Sequence, residues 1–226
     1  MRIFTGFDQR EAVGWHAFTQ SVIEHTSAPF SITPLTDAAT RDGSNAFTYS
    51  RFLIPYLCGF KGFAIFVDGA DMIAPGDFSE LWEMRSGWHA AQVVKHEYRT
   101  RNPRKYVGTE MECANEDYPR KNWSSVVIWN CDHYAHRALT PDFIDRHSGE
   151  YLHRFSWIPD DRIGELPKDW NWLVDEYGAS TTAKLLHWTA GIPRIPEYRL
   201  APHSHDWFKH SSHSMECPRA AERKAT

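Results

Sequence analysis

The chain has 226 residues, of which 42% are hydrophobic and 24% charged, with a formal net charge of -4. That length suits one well-buried domain, and the composition excludes a disordered or fibrous chain. The net acidity gives no general pull towards nucleic acid or an anionic membrane, and no run approaches the roughly 18 apolar residues of a membrane span.

Cys58, Cys113, Cys131 and Cys217 form neither a C-x-x-C pair nor a dense framework. Free thiols in a reducing compartment are expected, and with Met1 to Thr5 running straight into a strand, the sequence predicts a cytoplasmic protein. Ten Trp are an excess. Such an excess suits stacking on sugars or bases, but it also suits filling a core.

In chain order, Arg2 to Thr5 reads as a strand, Gly6-Phe7-Asp8 as a turn, and Gln9 to His25 as a helix. Phe30 to Leu35 follows as a strand, then Phe47 to Leu57 as a helix interrupted near Pro55. The five apolar residues Phe63 to Val67, bounded by turn formers, predict a strand buried on both faces. It ends at Asp68-Gly69-Ala70-Asp71. Open α/β sheets bind ligands at such carboxyl ends, and two neighbouring carboxylates repel unless a cation or a basic side chain sits between them. Hard oxygen ligands of this kind suit Mg²⁺ or Mn²⁺, which keep positions open for a diphosphate.

Asp77 to Met84 reads as a short helix and Ala90 to Val94 as a strand. Between Lys95 and Asn122 periodicity fails, and a basic cluster gives way to an acidic one. A loop this long is an expected acceptor-binding flap or a solvated charge run. Val126 to Trp129 is a predicted strand, residues 131 to 149 helical pieces, Trp157 to Trp172 turn-rich, and Lys184 to Trp188 a last strand. Alternating strands and helices predict a mostly parallel central sheet flanked by helices.

Several short segments now fall into an order. They are the Gly6-Phe7-Asp8 turn, Tyr49-Ser50-Arg51-Phe52-Leu53-Ile54-Pro55, the Asp68 to Asp71 turn, Ser124-Ser125-Val126 with Asn130, Pro159-Asp160-Asp161, and His187 with Gly191 and Arg194. This order resembles the nucleotide-sugar-dependent glycosyltransferases of the GT-A fold, family-8 type, which include glycogenin and the lipopolysaccharide galactosyltransferases. The resemblance covers residues 1 to about 195. It implies a single Rossmann-like α/β domain over residues 1–202, followed by a polar tail over 203–226.

The resemblance also implies roles. Gly6, Phe7, Asp8, Tyr49, Arg51, Asp68, Gly69, Ser125, Asn130, Gly191 and Arg194 would bind the nucleotide and donor sugar. Asp71, His187 and Asp68 would hold a metal, with Asp68 also able to bond ribose instead. The family's D-x-D appears here with one additional residue between the acids, and its H-x-x-G-x-x-K with one additional residue and Arg194 for the lysine. Asp160 and Asp161 match a D-Q-D segment without its glutamine, and Asp161 would face the anomeric carbon. Trp170-Asn171-Trp172 falls where the family has a pocket-wall tryptophan-asparagine.

An imidazole beside carboxylates favours Mn²⁺ over Mg²⁺. The implied reaction is metal-dependent transfer from a UDP-sugar to a carbohydrate or other hydroxyl acceptor, with retention and front-face attack. A sugar nucleotidyltransferase would need a basic Gly-rich loop that Gly6-Phe7-Asp8 does not supply, and a non-catalytic carbohydrate-binding protein would account for the Trp excess. His203, His205, His210, His213 and Cys217 could gather around Zn²⁺, but their spacing matches no standard finger and reads as a solvated tail.

Overall fold

The computed structural model describes residues 1–37 and 45–215, with side chains as far as 212. Strand β1 (Arg2–Gly6) leads through a 3₁₀ turn (Gln9–Glu11) into α1 (Ala12–His25). The Asp8 carboxylate starts that turn by accepting the Arg10 N–H, the usual device for an orphan helical donor. Then come β2 (Ser31–Leu35), a 3₁₀ turn (Ser50–Leu53) and α2 (Ile54–Leu57), where Pro55 sits in the first turn and needs no N–H partner.

Next are β3 (Phe63–Val67), β4 (Met72–Ile73), α3 (Phe78–Glu83) and β5 (Ala91–Val93). A small hairpin, β6 (Arg104–Lys105) and β7 (Cys113–Ala114), interrupts the expected loop before β8 (Val126–Asn130). The chain continues through α4 (Pro141–Arg146), α5 (Gly149–His153), β9 (Ile163–Glu165), β10 (Trp172–Leu173), α6 (Val174–Tyr177), β11 (Leu186–His187) and α7 (Ser204–Met215).

The main sheet has the order β2-β1-β3-β8-β5-β9. Every neighbouring pair is parallel except those made by β8, which runs against both β3 and β5. The carboxyl ends of β1, β3 and β5 therefore share an edge with the start of β8. A second sheet, β10-β11-β4, sits beside that edge and sets Met72 opposite His187.

Strand β3 is covered on both faces because its side chains alternate. Ala64 and Phe66 pack with Phe4, Val127 and Trp129, whereas Ile65 and Val67 pack with Ile3, Val126 and Ile128. The tryptophans serve this packing. Trp129, Trp170, Trp188 and Trp207 are fully buried in the core.

The expected polar tail is corrected over the twelve residues that begin at Ser204. Ser204–Met215 form a helix that packs on α1, because Trp207 and Phe208 give it an apolar face that joins Ala17 and Trp188. Among the described residues no helix is long and apolar enough to cross a membrane.

Helix α1 also lies directly under the turn that follows β3. A Cβ on Gly14 would collide with the Ala70 carbonyl oxygen, so only glycine permits this approach. Gly14→Ala would gain about 1 kcal/mol of helix propensity, yet it forces apart two packed backbones. We expect a net destabilisation of about 2 kcal/mol, read as a lower urea midpoint with an unchanged slope.

Candidate active site

A cavity of about 200 Å³ opens at the shared sheet edge. Its walls include Arg51, Asp68, Asp71, Ser125 and His187, which the sequence analysis had named from four separate segments. No Trp lines it. The expectation of stacked Trp at the sugar is thereby replaced by a core role for those rings.

The acidic turn is built by short backbone bonds. Asp68 N–H donates to the Ser125 carbonyl, Ala70 N–H to that of Asp68, and Met72 N–H to that of Gly69. Gly69 takes φ +87°, and a Cβ there would collide with Thr5 Oγ1, so the turn needs glycine. The two acids emerge in different directions with different partners.

Asp68 accepts from Arg51 Nη1 at 2.6 Å. Arg51 is buried, and it donates further to the Ser124 and Thr48 carbonyls while its guanidinium lies over the Phe66 ring. Burial pushes the Asp68 carboxyl up to about 6, with the Arg51 charge opposing. Arg51 thus lines the cavity with three of its five donors engaged, through Nε and Nη1.

Asp71 meets His187. Its Oδ2 lies 3.1 Å from Nε2 of His187, whose Nδ1 is 2.8 Å from Asn171 Oδ1. The Asn171 amide donates to the Asn122 carbonyl and to Ser125 Oγ, which assigns its oxygen to the histidine and a proton to Nδ1. Nε2 is left to face the acid. Burial alone would raise Asp71, but the charge and hydrogen bond of His187 outweigh it and hold this carboxyl low, and the same pairing raises His187.

Asp71 Oδ1 is buried and accepts no hydrogen bond from any other described residue. Leaving such an oxygen unpaired costs about 1–3 kcal/mol. An orphaned carboxylate oxygen, a neighbouring imidazole nitrogen and a second carboxylate are a donor set that fits a divalent cation. Nearby Glu11 has its carboxyl pushed up to about 8 by burial and by the charges of Asp71 and Asp8, which favours its neutral form beside those acids.

The remaining expected residues lie around or away from this centre. Asp8 is committed to Arg10 and to the Ala46 N–H, which hold its carboxyl near 2. Gly6 gives room to the Phe47 ring, and Phe7 packs edge-on against Trp15. Tyr49 lines a neighbouring cavity of about 410 Å³ with Gly149 and Arg154. The two cavities share Thr48, Tyr118 and His153. Gly191 lies against the Tyr198 ring, where a Cβ would collide.

Four expectations are corrected. Asn130 stands at the far end of β8, opposite Phe63, because that strand runs antiparallel to β3, and its amide donates to the Gly87 and His89 carbonyls. Asp160 and Asp161 are exposed on a surface 3₁₀ turn and pair with Arg120 and Arg162, outside the cavity wall. Arg194 is exposed and outside it too. A cation that the wall does hold beside Arg51 is Lys105, brought by the hairpin.

Sequence reasoning did not single out Glu11, Tyr106, Tyr118 or His153, and it took in Lys105 and Asn122 only as members of longer segments, yet all six line the cavity. Glu11 follows the first βα turn by less than one helical turn, a signal that was legible. The others come mostly from the 95–122 segment, whose Tyr106 N–H donates to the Ala190 carbonyl and so fastens it over the sheet edge.

No protein-family model matches the sequence. Protein CDI of Arabidopsis thaliana is 35% identical over 223 residues, covering 92% of this chain and 84% of that protein. The chain belongs to the family of Protein CDI. Among solved structures, the galactosyltransferase LgtC in complex with donor and acceptor sugar analogs superposes with a TM-score of 0.63 at 12% identity, covering 96% of this chain and 98% of that one. The glycosyltransferase GlyE of Streptococcus pneumoniae TIGR4 gives 0.64 at 14% identity over 93% of this chain, and the bifunctional WbbM gives 0.60 at 14% identity over 94%. This chain spans 59% of the GlyE chain and 49% of the WbbM chain. The likeness establishes the fold: this member of the Protein CDI family is an α/β protein of the GT-A glycosyltransferase type.

Proposed function

We propose that the chain is a metal-dependent glycosyltransferase that moves a sugar from a UDP-sugar to a carbohydrate or other hydroxyl acceptor, with retention. The observation that carries this reading is the convergence of Asp68, Asp71 and His187 on one polar cavity at the carboxyl edge of a mostly parallel sheet. Asp71 and His187, with Asp68 beside them, would hold the cation. A bound Mn²⁺, or Mg²⁺ in its place, would supply positive charge to the departing diphosphate.

The chain's own residues do the rest. Lys105 adds a positive charge at the wall, and Arg51 keeps Asp68 in place against Ser124 and Thr48. Asn171 orients His187 so that Nε2 faces Asp71. With Asp160 and Asp161 on the outer surface, no carboxylate from that turn backs the anomeric carbon, which is consistent with front-face attack in which the leaving phosphate takes the acceptor proton.

The exposure of Asp160 and Asp161 also favours a second reading, a protein that binds a nucleotide-sugar without transferring it. One screen separates the two. Purified protein is incubated with a panel of nucleotide-sugars, with and without Mn²⁺, and released UDP is followed. Release that depends on both cation and one sugar supports transfer, whereas binding without release supports the second reading.

A further inference from the structure

The far end of α1 carries a cluster that the sheet-edge site does not use. Glu24 and His25 close this helix, and His210 approaches them from α7. One ligand atom from each lies within 4.8 Å of the others. Helix α1 is about 20 Å long, so this cluster is remote from Gly14 and the acidic turn that it supports. We propose that Glu24, His25 and His210 form a Zn²⁺ site that clips the carboxyl-terminal helix onto α1.

Each ligand is already oriented. The His25 Nδ1 lies 2.8 Å from the Ser21 carbonyl and the His210 Nδ1 lies 2.7 Å from the Asp206 carbonyl. A carbonyl only accepts, so both Nδ1 atoms carry protons, and in the neutral imidazole each Nε2 presents its lone pair. Metal-bound histidines are typically held by such a second hydrogen bond. Gln20 donates to Glu24 Oε1, and Oε2 turns to the cluster, with Lys209 Nζ at 3.8 Å.

His210 supplies the decisive observation. Its side chain is 3% exposed, and its Nε2 is buried with no hydrogen-bond partner among the described residues although Glu24 Oε2 is only 3.2 Å away. The separation is short, but the direction is wrong for an N–H to that oxygen. Two ligand atoms on a tetrahedral Zn²⁺ lie about 3.4 Å apart, so a shared ion fits both the distance and the misalignment. Two imidazoles and one carboxylate, with water in the fourth position, suit Zn²⁺, and the negative end of the α1 dipole favours a cation there.

The sequence had offered a histidine cluster within the tail. The structure draws His210 into partnership with α1 instead, while the side chain of His213 and all of Cys217 lie outside the described residues.

Zn²⁺ alone is the probe. Calorimetric titration of the metal-stripped full chain is compared with that of His25→Gln, a half-buried position at a helix end where the fold tolerates change. We expect His25→Gln to bind one equivalent less than the wild type, and His210→Gln to do the same if it folds. Zn²⁺ should raise the wild-type melting temperature by several degrees and slow amide exchange in Ser204–Met215, with neither change in His25→Gln. Equal stoichiometry in the two chains would overturn the proposal. So would nitrogen NMR showing His210 Nε2 still protonated with Zn²⁺ present, because the cluster is then a plain Glu24–His210 ion pair. None of these readouts depends on turnover.

Discussion

Asp71→Asn is expected to abolish cation-dependent UDP binding and to slow sugar transfer by about a thousandfold, from the loss of several kcal/mol at about 1.4 kcal/mol per factor of ten. The reason lies in one atom. Oδ1 of Asp71 is buried with no hydrogen bond from any other described residue, while Oδ2 is shared with His187, so this carboxylate has a lone pair held ready for a ligand. An amide keeps the volume and removes the charge. Calorimetry of UDP with and without Mn²⁺, beside a circular dichroism melt, separates a lost ligand from a lost fold. A folded variant that binds UDP and Mn²⁺ as the wild type does would remove Asp71 from the site.

Arg51→Met should destabilise the protein by about 3 kcal/mol, because breaking a buried pair leaves the partner's charge uncompensated. The arginine side chain is 7% exposed and that of Asp68 17%, and the pair is joined at 2.6 Å. Methionine fills the space beneath Phe47 and Phe66 but leaves Asp68, Thr48 and Ser124 without their donor. Asp68→Asn in the same chain should recover at least about 1 kcal/mol, since residues in direct contact couple by about 0.5–3 kcal/mol. Urea unfolding of the four proteins at pH 7 reads this directly. Strict additivity would mean that Asp68 is not held by Arg51.

The same pair adds to the reading of Arg51. The resemblance implied a side chain reaching the nucleotide-sugar, and of its five donors three are engaged by Asp68 and two carbonyls, from Nε and Nη1. It positions the acid and keeps Nη2 for a ligand. Sequence left open whether a cation or a basic side chain would separate the two carboxylates, and the structure sets a basic group against each one, Arg51 on Asp68 and His187 on Asp71.

Local signals were legible wherever a physical cause acts over a few residues. Five apolar residues stopped by Asp-Gly gave strand Phe63–Val67 with both ends correct, since an apolar run and a turn former each act within their own segment. Asp8 and Asp77 marked helix starts in the same way. The polar residues 204–212 misled because Trp207 and Phe208 find their apolar partners only on α1.

By itself, then, the chain determined five of the six strands of the main sheet, all but β9, with the acidic turn and the edge at which that turn would stand. Tertiary structure alone decided which side chains meet there. His187 reaches Asp71 across 116 positions because β4 and β11 pair antiparallel, Asn130 leaves the site because β8 is reversed, and Lys105 arrives because a loop docks on Ala190. Strand direction and loop docking are set by packing summed over the whole core, a quantity that no short stretch of sequence contains.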